Sequence, residues 1–486
     1  MILSEVLRGI EHFSSIPNCE VTGICCDSRK FEKGNIFVCI KGLTNDSHDL
    51  VTEELSSAAS AIICQRDLKV KNQIIVSDTR AALAILAANF YGNRKDKLKL
   101  IAVTGTNGKT TVSTLIKQVL ESVGKKAGLI GTVRYEMNDY SLPARYTTPD
   151  PLELHQLFDK MYRMGIEYVV MEASSQALSQ MRLFGVEFEL ALFTNLTQDH
   201  LDYHGNMENY YLAKKALFSQ SKKTIVNIDD DYGLRLLKEL REEDKKVVTC
   251  SAFKDEADYV GKNIRSDRTG VSFEVVTIGA IGRIFMNTPG MFSVSNGLMA
   301  AAALTELSVP LGDTIKALGE SAGVKGRSEI IAVHPDFTVI SDYAHTPDSL
   351  EKIFSSVKDY APKRVVALFG AAGMRDSKKR AMMGKKAAEF ADYIIITSDN
   401  PRSEDAEKIA KEVEEGVIES GKPYKIIVDR YDAIFYAIEH AQKDDIIVLA
   451  GKGHEDYQVL DGISIYFDER EIVKKAIDKF YGTEGK

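Results

Sequence analysis

The chain has 486 residues, and at about 100–200 residues per domain this length predicts two to four domains, each large enough to bury its own core. Hydrophobic residues make up 44% of the chain and charged residues 27%, which excludes disordered, collagen-like and coiled-coil proteins. The formal net charge of -8 offers no sequence-wide attraction for nucleic acid or an anionic membrane, so we expect neither as a partner.

The six cysteines form no C-x-x-C pair, and five of them lie within the first 64 residues, where we expect small buried side chains. The sequence shows no secretory leader and no apolar run of about 18 residues. These features predict a protein of the reducing cytoplasm.

Two polar stretches divide the chain into three predicted domains. Residues 91–97 separate the apolar segment 81–90 from a strand-like run, and residues 323–327 carry two glycines around a basic residue. We predict domains at residues 1–95, 96–326 and 327–486.

The second and third domains alternate short apolar runs with longer helical patterns, which predicts α/β folds with mainly parallel sheets. The predicted strands are residues 98–103, 168–171, 190–193 and 224–227 in the second domain and 364–369, 393–397, 425–428 and 445–449 in the third. Ligands of such sheets bind beyond the carboxyl ends of the strands, so the residues after each run are the candidates for a site.

A glycine-rich loop, TGTNGKTT at residues 104–111, follows the first of these strands. Glycines let backbone N–H groups approach phosphate oxygens, and the helix that follows adds a positive field at its N-terminus. Lys109 is placed to reach the outer phosphates and Thr110 to bind Mg²⁺, although Val103 replaces the first glycine of the common P-loop spacing. The predicted ATP-binding residues here are Gly105, Thr106, Asn107, Gly108, Lys109, Thr110 and Thr111.

Two more polar segments follow neighbouring predicted strands. Glu172 comes directly after residues 168–171, where its carboxylate could complete the coordination of Mg²⁺. Residues 195–204, NLTQDHLDYH, gather potential metal ligands and acid–base groups at the same sheet edge. Taken alone, both segments also fit ordinary exposed loops.

TGTNGKTT, MEASS, NLTQDHLDYHG, GRSE, DYAHTPDSLE and DNPR together resemble the Mur ligases, the ATP-dependent amino-acid-adding enzymes of peptidoglycan synthesis, over nearly the whole chain. TTPDP, FGAAGMRD, DNPR and GKGHEDYQ are similar to the members that join meso-diaminopimelate to UDP-N-acetylmuramoyl-L-alanyl-D-glutamate. The resemblance implies an N-terminal α/β UDP-binding domain, a central P-loop ATPase domain and a C-terminal Rossmann-like domain. We expect a monomer. It also implies an acyl phosphate, formed by the D-glutamyl γ-carboxylate and ATP and then displaced by an amine.

The resemblance assigns residues to catalysis and to ATP. It implies Lys109, Glu172, His200 and Lys214 as catalytic residues, with Thr110, Glu172, His200 and a carbamylated Lys214 around Mg²⁺. Further ATP contacts implied are Asn296, Arg327, Asp342 and His345. For Lys214 the alternative is one member of a Lys214-Lys215 pair on a solvated helix face.

The muramyl substrate has its own implied set, which is Ser28, Thr147, Thr148, Ser174, Gln180 and Arg182. Residues 41–45 are a second segment that the resemblance places near the uridine diphosphate. A turn followed by a helix cap is the alternative role for the two threonines.

The implied diaminopimelate site comprises Arg375, Asp399, Asn400, Pro401, Arg402, Gly451 and Glu455. Arginine forks suit the distal carboxylate, whereas Glu455 and the Gly451 carbonyl suit the ammonium. A turn with a structural arginine is the alternative for DNPR. Met374 and Ala381 depart from the family pattern, which usually has an acidic residue and a proline there, so the stiffness of this loop is in question.

Other functions stay open at this point. An L-lysine-adding Mur ligase differs only around Arg402, and a folylpolyglutamate synthase would lack the UDP-binding domain and the DNPR site. A P-loop phosphotransferase would consume ATP without an amine, and a nucleotide-gated binding module would not turn ATP over in response to an amino acid.

Overall fold

The computed structural model describes residues 1–12, 18–42, 45–321, 323–361 and 363–482. The chain forms two compact units, Met1–Thr249 and Cys250–Lys486. The predicted α/β class with mainly parallel sheets is confirmed, whereas the division into three domains stays a prediction. Within the described ranges, no helix has the length and apolar character needed to cross a membrane.

The first unit begins with a four-stranded parallel sheet in the order β1-β2-β3-β4. Ile36, Val38 and Ile63 pack on one face, while Phe37 and Ile62 pack on the other, because successive strand residues point to opposite faces. The elements are β1 (Gly23–Cys25), β2 (Asn35–Val38), β3 (Ala61–Cys64) and β4 (Gln73–Ile75), α1 (Leu3–Val6), α2 (Glu53–Ala58) and α3 (Thr79–Phe90), and the 3₁₀ helices Ser28–Lys30, Ser47–Leu50 and Arg94–Lys97. Of the five N-terminal cysteines, Cys25, Cys39 and Cys64 are buried, and Cys19 and Cys26 are partly buried.

The rest of the first unit is a larger sheet in the order β11-β10-β5-β9-β6-β7-β8, parallel except for the β6-β7-β8 meander. All residues of β9 are buried, as expected for a strand that helices cover on both faces. The strands are β5 (Lys99–Thr104), β6 (Ala127–Ile130), β7 (Arg134–Met137), β8 (Tyr140–Pro143), β9 (Tyr168–Glu172), β10 (Phe188–Phe193) and β11 (Ser221–Asn227). The helices are α4 (Lys109–Ser122), α5 (Pro151–Arg163), α6 (Ser175–Ser179), α7 (Leu201–His204), α8 (Met207–Lys215) and α9 (Asp231–Glu242), with a 3₁₀ helix at Ala216–Gln220.

The second unit contains an antiparallel β13-β14-β15 meander and a six-stranded sheet in the order β16-β17-β21-β18-β19-β20, parallel except for the edge strand β16. Ile446 and Val448 pack on one face of this sheet and Ile447 and Leu449 on the other. The remaining strands are β12 (Val247–Ser251), β13 (Tyr259–Asp267), β14 (Gly270–Thr277), β15 (Ala280–Met286), β16 (Glu329–Val333), β17 (Phe337–Asp342), β18 (Val365–Phe369), β19 (Tyr393–Ile396), β20 (Tyr424–Ile426), β21 (Asp445–Ala450), β22 (Tyr457–Leu460) and β23 (Ile463–Tyr466). The remaining helices are α10 (Met291–Glu306), α11 (Leu311–Glu320), α12 (Pro347–Tyr360), α13 (Lys378–Phe390), α14 (Ala406–Ile418), α15 (Arg430–Glu439) and α16 (Glu469–Tyr481).

His155 is a titratable group inside the core of the first unit. It lies on α5, its ring meets Phe158 edge to face at 5.6 Å, and neither ring nitrogen has a hydrogen-bond partner among the described residues. Burial, with a smaller contribution from Lys95, lowers the pKa of His155 from 6.5 to about 4.

The depressed pKa predicts acid destabilisation. The unfolded chain binds the proton more tightly than the folded one, so the free energy of unfolding falls as the pH drops from 6.5 towards about 4. Between pH 7 and pH 5 we expect His155 to remove about 2 kcal/mol. Urea unfolding at both pH values should show that His155→Leu loses this part of the pH dependence. Phe158→Leu, a neighbouring core change without a titratable group, should lower stability equally at both; equal pH slopes for His155→Leu and the parent would contradict the prediction.

Candidate active site

The glycine-rich loop connects the end of β5 to α4 and closes against the end of β10. Gly105 has φ 147°, and a Cβ atom there would lie 1.8 Å from Thr194 Oγ1, so the position requires glycine. Thr194 Oγ1 donates to Asn107 O at 2.6 Å, and Asn195 Oδ1 accepts from Asn107 N at 3.0 Å. Gly108 is the N-cap of α4 with φ 84° and offers no side-chain oxygen to the first helical N–H groups. Those N–H groups suit an anion.

Two lysines meet at one carbonyl of this loop. Lys109 Nζ donates to Gly105 O at 2.9 Å and Thr106 O at 3.0 Å, and Lys214 Nζ donates to Gly105 O at 2.7 Å. Lys214 is 1% exposed, so the solvated-face alternative is wrong for it. Lys215 instead pairs with Glu239 of α9 and with Glu243, which follows that helix. Burial, and then the charge of Lys109, hold the pKa of Lys214 well below its ordinary value. A neutral amine is the nucleophilic form of lysine.

Glu172, the last residue of β9, is fixed beside the start of α4. Its Oε2 accepts from Thr110 Oγ1 at 3.0 Å and Thr132 Oγ1 at 2.9 Å, and its Oε1 accepts from Thr132 N at 2.8 Å. A Cβ atom at Gly131 would lie 2.5 Å from Oε1, which leaves the carboxylate little room to turn. No motif in the sequence pointed to Thr132. The carboxylate and the Thr110 hydroxyl are oxygen ligands of the kind Mg²⁺ prefers.

His200 lies at the start of α7 with φ 51° and a partly exposed ring. Its Nδ1 is 3.4 Å from Gln176 Nε2, and its ring lies edge-on to Tyr210 with centroids 6.3 Å apart. The Tyr210 hydroxyl is 3.1 Å from Thr106 Oγ1, which links this segment to the phosphate loop. Across the described part of the chain, no three His, Cys, Asp or Glu side chains cluster as a metal site, so protein carboxylates and imidazoles alone do not enclose a cation.

The predicted muramyl-substrate residues of this sheet form one hydrogen-bonded group next to Glu172. Thr148 Oγ1 donates to Glu172 O at 2.7 Å and accepts from Ser174 N at 3.0 Å, and Arg182 Nη1 donates to Thr148 O at 2.7 Å. The other contacts are Arg182 to Gln180 Oε1 at 3.1 and 2.8 Å, Thr147 Oγ1 to Thr132 Oγ1 at 3.1 Å, and Ser174 Oγ accepting from Ala177 N at 3.3 Å. Thr148 therefore supports the strand end as well as being a candidate ligand.

In the N-terminal sheet, the predicted uridine-side residues are only partly described. Ser28 begins a 3₁₀ helix after β1 and is half-buried. Of the segment 41–45, Leu43 and Thr44 lie outside the described residues.

In the second unit, the DNPR turn after β19 packs tightly against the loop after β18. Gly373 N donates to Asn400 O at 2.9 Å, and a Cβ atom at Gly373 would lie 1.9 Å from Pro401 O. Arg402 has φ 59° and its Nη1 donates to Gly373 O at 2.6 Å. Asn400 Nδ2 donates to Glu455 Oε2 at 3.0 Å. The turn and the loop after β21 thus form one polar cluster.

Lys452 is the centre of that cluster and was not among the predicted site residues. Its side chain is 0% exposed, and Nζ donates to Asn400 Oδ1 at 2.6 Å, Tyr457 O at 2.8 Å and Glu455 Oε2 at 3.3 Å. It also lies 3.5 Å from Asp399 Oδ1. The only local signal was a lysine between two glycines after a strand. Glu455, which the resemblance assigns to the substrate ammonium, already pairs with Lys452.

Two arginines that follow β18, Arg375 in the loop and Arg380 on α13, differ in exposure. Arg375 is exposed, whereas Arg380 is buried and donates to Glu404 Oε1 and Glu412 Oε2, each at 2.7 Å. Met374 has φ 56°, and its N–H donates to Glu404 Oε2 at 2.9 Å. The Arg380–Glu404 pair therefore braces the loop at the positions where Met374 and Ala381 depart from the family pattern.

The predicted nucleotide-side residues of the second unit gather around Asp342. Its Oδ2 accepts from Ser328 N at 2.6 Å and its Oδ1 from Ala344 N at 2.8 Å, while burial raises the pKa of this carboxyl. The Arg327 guanidinium lies 5.0 Å from the centre of the Tyr343 ring. The exposed His345 has Nδ1 2.8 Å from Tyr343 O. Asn296 is buried on α10, and no contact described in the structure joins it to this group.

Comparison with known proteins identifies the family. Family models described as Mur ligase middle domain and Mur ligase, glutamate ligase domain match residues 103–304 and 326–453. The UDP-N-acetylmuramoyl-L-alanyl-D-glutamate–2,6-diaminopimelate ligase of Caldanaerobacter subterraneus subsp. tengcongensis is 42% identical over 482 residues, which cover 98% of this chain and 99% of that protein. The chain belongs to the Mur ligase family. Mur ligases are ATP-dependent enzymes that form amide bonds.

Solved structures place this Mur ligase among similar folds. A solved structure of a UDP-N-acetylmuramoyl-L-alanyl-D-glutamate–2,6-diaminopimelate ligase matches at a TM-score of 0.74 and 32% identity, over 99% of this chain and 100% of that chain. Folylpolyglutamate synthase of Mycobacterium tuberculosis, complexed with ADP, matches at a TM-score of 0.63 and 15% identity, over 77% of this chain and 92% of that chain. The second match shows a shared fold alone.

Gly105→Ala tests the phosphate loop. A methyl group would displace Thr194 and open the loop, so we expect the affinity for ADP to fall at least about tenfold in calorimetric titration. Gly312→Ala is the matched control, since a Cβ atom there meets no heavy atom within 4 Å among the described residues. Equal affinities for Gly105→Ala and Gly312→Ala would show that the loop tolerates the methyl group.

Lys452→Met tests the role of the buried Lys452 charge in the polar cluster of the DNPR turn and the loop after β21. The change leaves Glu455 and Asp399 without their buried counter-charge, so we expect the second unit to lose about 3–5 kcal/mol of stability in urea. The same change at the exposed Lys474 should cost no more than about 0.5 kcal/mol. A loss at Lys452 as small as that at Lys474 would rule out a central role for its charge.

Proposed function

We propose that this Mur ligase adds meso-diaminopimelate to the D-glutamyl γ-carboxylate of UDP-N-acetylmuramoyl-L-alanyl-D-glutamate in peptidoglycan precursor synthesis. The observation that carries the proposal is the nearly full-length similarity to ligases of that name, at 42% identity in the relative described above. The geometry of the candidate active site supplies the chemical argument.

The phosphate loop is the proposed site of ATP. Backbone N–H groups at the start of α4 would receive the phosphates, and Lys109 would exchange the carbonyls of Gly105 and Thr106 for phosphate oxygens. Mg²⁺ held by Thr110, Glu172, His200 and a carbamate on Lys214 would neutralise phosphate charge. The depressed pKa of Lys214 supports carbamylation, since the neutral amine adds to CO₂ with loss of one proton.

The reaction needs the approach of two anions. The γ-carboxylate oxygen attacks the γ-phosphorus of ATP, ADP leaves, and an acyl phosphate forms. The neutral substrate amine then attacks the acyl carbon, phosphate leaves, and the nitrogen loses a proton. Lys109 and the donors around Thr148 and Arg182 would offset the negative charge and orient the carboxylate, so catalysis rests mainly on positioning and electrostatics.

The DNPR turn supports diaminopimelate rather than lysine. The bond from Arg402 Nη1 to Gly373 O holds one side of the guanidinium, and its other N–H groups are the proposed donors to the distal carboxylate. Lysine lacks that carboxylate and would leave the fork without its partner, which costs about 1–3 kcal/mol. The Gly451 carbonyl and Glu455 are the proposed partners of the ammonium.

We also propose the three-domain division at residues 1–95, 96–326 and 327–486, with Ser28 contributing to the UDP-substrate site and a cytoplasmic monomer as the working form. The matched family models begin at residues 103 and 326, which supports the two boundaries.

The decisive experiment measures phosphate release by the purified protein with ATP, Mg²⁺ and the muramyl dipeptide, in the presence of meso-diaminopimelate, L-lysine or no amine. We expect release with diaminopimelate and a preference over lysine of at least about tenfold in kcat/KM, with the tripeptide product identified by mass spectrometry. Preference for lysine would favour the lysine-adding alternative. Release indifferent to amine would favour a phosphotransferase.

Arg402→Met tests the specificity argument within the same assay. We expect KM for diaminopimelate to rise about tenfold or more while KM for ATP stays unchanged, because the lost partner is on the amino acid alone. Exposed Arg241→Met is the control. An unchanged preference for diaminopimelate in Arg402→Met would assign its carboxylate to another residue.

A further inference from the structure

The second unit contains a fully buried ion pair close to the carboxyl edge of its six-stranded sheet. Arg430 is the first residue of α15 and Glu469 the first residue of α16, and each is 1% exposed. Arg430 Nε and Nη2 donate to Glu469 Oε1 at 2.9 and 2.7 Å. Burial of two charges costs free energy that an apolar pair of the same volume does not, so stability alone does not account for this pair.

The remaining hydrogen bonds of the pair reach the ends of three strands. Arg430 Nη2 donates to Ala450 O at 2.9 Å, Arg430 Nη1 donates to Ser398 O at 3.4 Å, and Glu469 Oε2 accepts from Ser341 Oγ at 3.1 Å. These three residues directly precede Gly451, Asp399 and Asp342, which are all candidate site residues. The pair therefore sits one residue behind three different parts of the site.

We propose that Arg430 and Glu469 are positioning residues for the amino acid, an inference that rests on the proposed function. By fixing the carbonyls of Ser398 and Ala450, the pair sets the spacing between the DNPR turn and the loop after β21. That spacing brings Asn400 Nδ2 to 3.0 Å from Glu455 Oε2 and Lys452 Nζ to 2.6 Å from Asn400 Oδ1. An apolar pair would fill the same volume without directing either carbonyl.

The same sheet provides a matched control at the amino ends of its strands. Arg364 precedes β18 and donates to Asp445, the first residue of β21, through Nε at 3.0 Å and Nη2 at 2.5 Å. The Asp445 side chain is buried. This pair shares strand β21 with the Arg430–Glu469 system but lies at the amino end, away from the candidate site residues.

The test compares two double variants, Arg430→Met with Glu469→Leu and Arg364→Met with Asp445→Leu. In the phosphate-release assay we expect the first to raise KM for diaminopimelate about tenfold or more, with a smaller rise in KM for ATP through Ser341 and Asp342 and no change in KM for the muramyl dipeptide. The second should leave all three KM values within about twofold of the parent. Equal effects of the two double variants, or a parallel rise in KM for the muramyl dipeptide, would overturn the proposal because both indicate general loosening.

A conservative variant keeps the proposal testable if the double variant does not fold. Arg430→Lys retains the charge beside Glu469, but one ammonium lacks the fork that serves Glu469 and both carbonyls. We expect an intermediate rise in KM for diaminopimelate, about threefold. A parental KM in Arg430→Lys would count against positioning by the fork.

Hydrogen exchange separates this inference from the proposed function. If the parent shows no amine-dependent phosphate release, the proposed function fails, and the positioning role is judged from amide exchange at residues 399–402 and 451–455. We expect exchange there to accelerate in Arg430→Lys and in the Arg430/Glu469 variant but not in the Arg364/Asp445 variant. Unchanged exchange in these segments would overturn the positioning role, whatever reaction the enzyme catalyses.

Discussion

In both units, a backbone carbonyl at the carboxyl end of a parallel strand accepts a hydrogen bond from a buried lysine or arginine side chain. Gly105 O accepts from Lys214, and Ala450 O accepts from Arg430. A parallel strand leaves its last carbonyls without ladder partners, and a buried ammonium or guanidinium needs acceptors that water no longer provides. The free carbonyls and the buried donors therefore pair at the carboxyl ends of the strands, where ligands of α/β sheets also bind.

This arrangement suits chemistry between anions. Solvent screens a buried charge only weakly, so the electric field of that charge acts on a ligand bound at the strand ends. In the first unit burial, and then the charge of Lys109 at the same carbonyl, lower the pKa of Lys214. In the second unit Lys452 compensates the carboxylates of Asp399 and Glu455, which would otherwise be costly to bury together.

Glycine makes the close approaches possible in both units. Gly105 lets the phosphate loop lie against Thr194, and Gly373 lets one loop lie against Pro401. In both places a Cβ atom would overlap its neighbour, so the two polar clusters depend on backbone contact as much as on charged side chains. The steric demand explains why glycine-rich motifs mark functional edges even before any ligand is considered.

Local sequence patterns determined eight of the parallel strands, the phosphate loop and the α/β class. The predicted runs 168–171 and 445–449 differ from β9 and β21 by only one residue at the end. The agreement is close because a buried parallel strand is a continuous apolar run, which is visible in the local sequence. Only the tertiary structure decided the partners of these segments. Lys452 meets Asn400, Arg430 meets Glu469, and Thr132 meets Glu172, pairs separated by 52, 39 and 40 positions. No periodicity encodes such pairs, since they depend on which strand ends the folded sheet brings side by side.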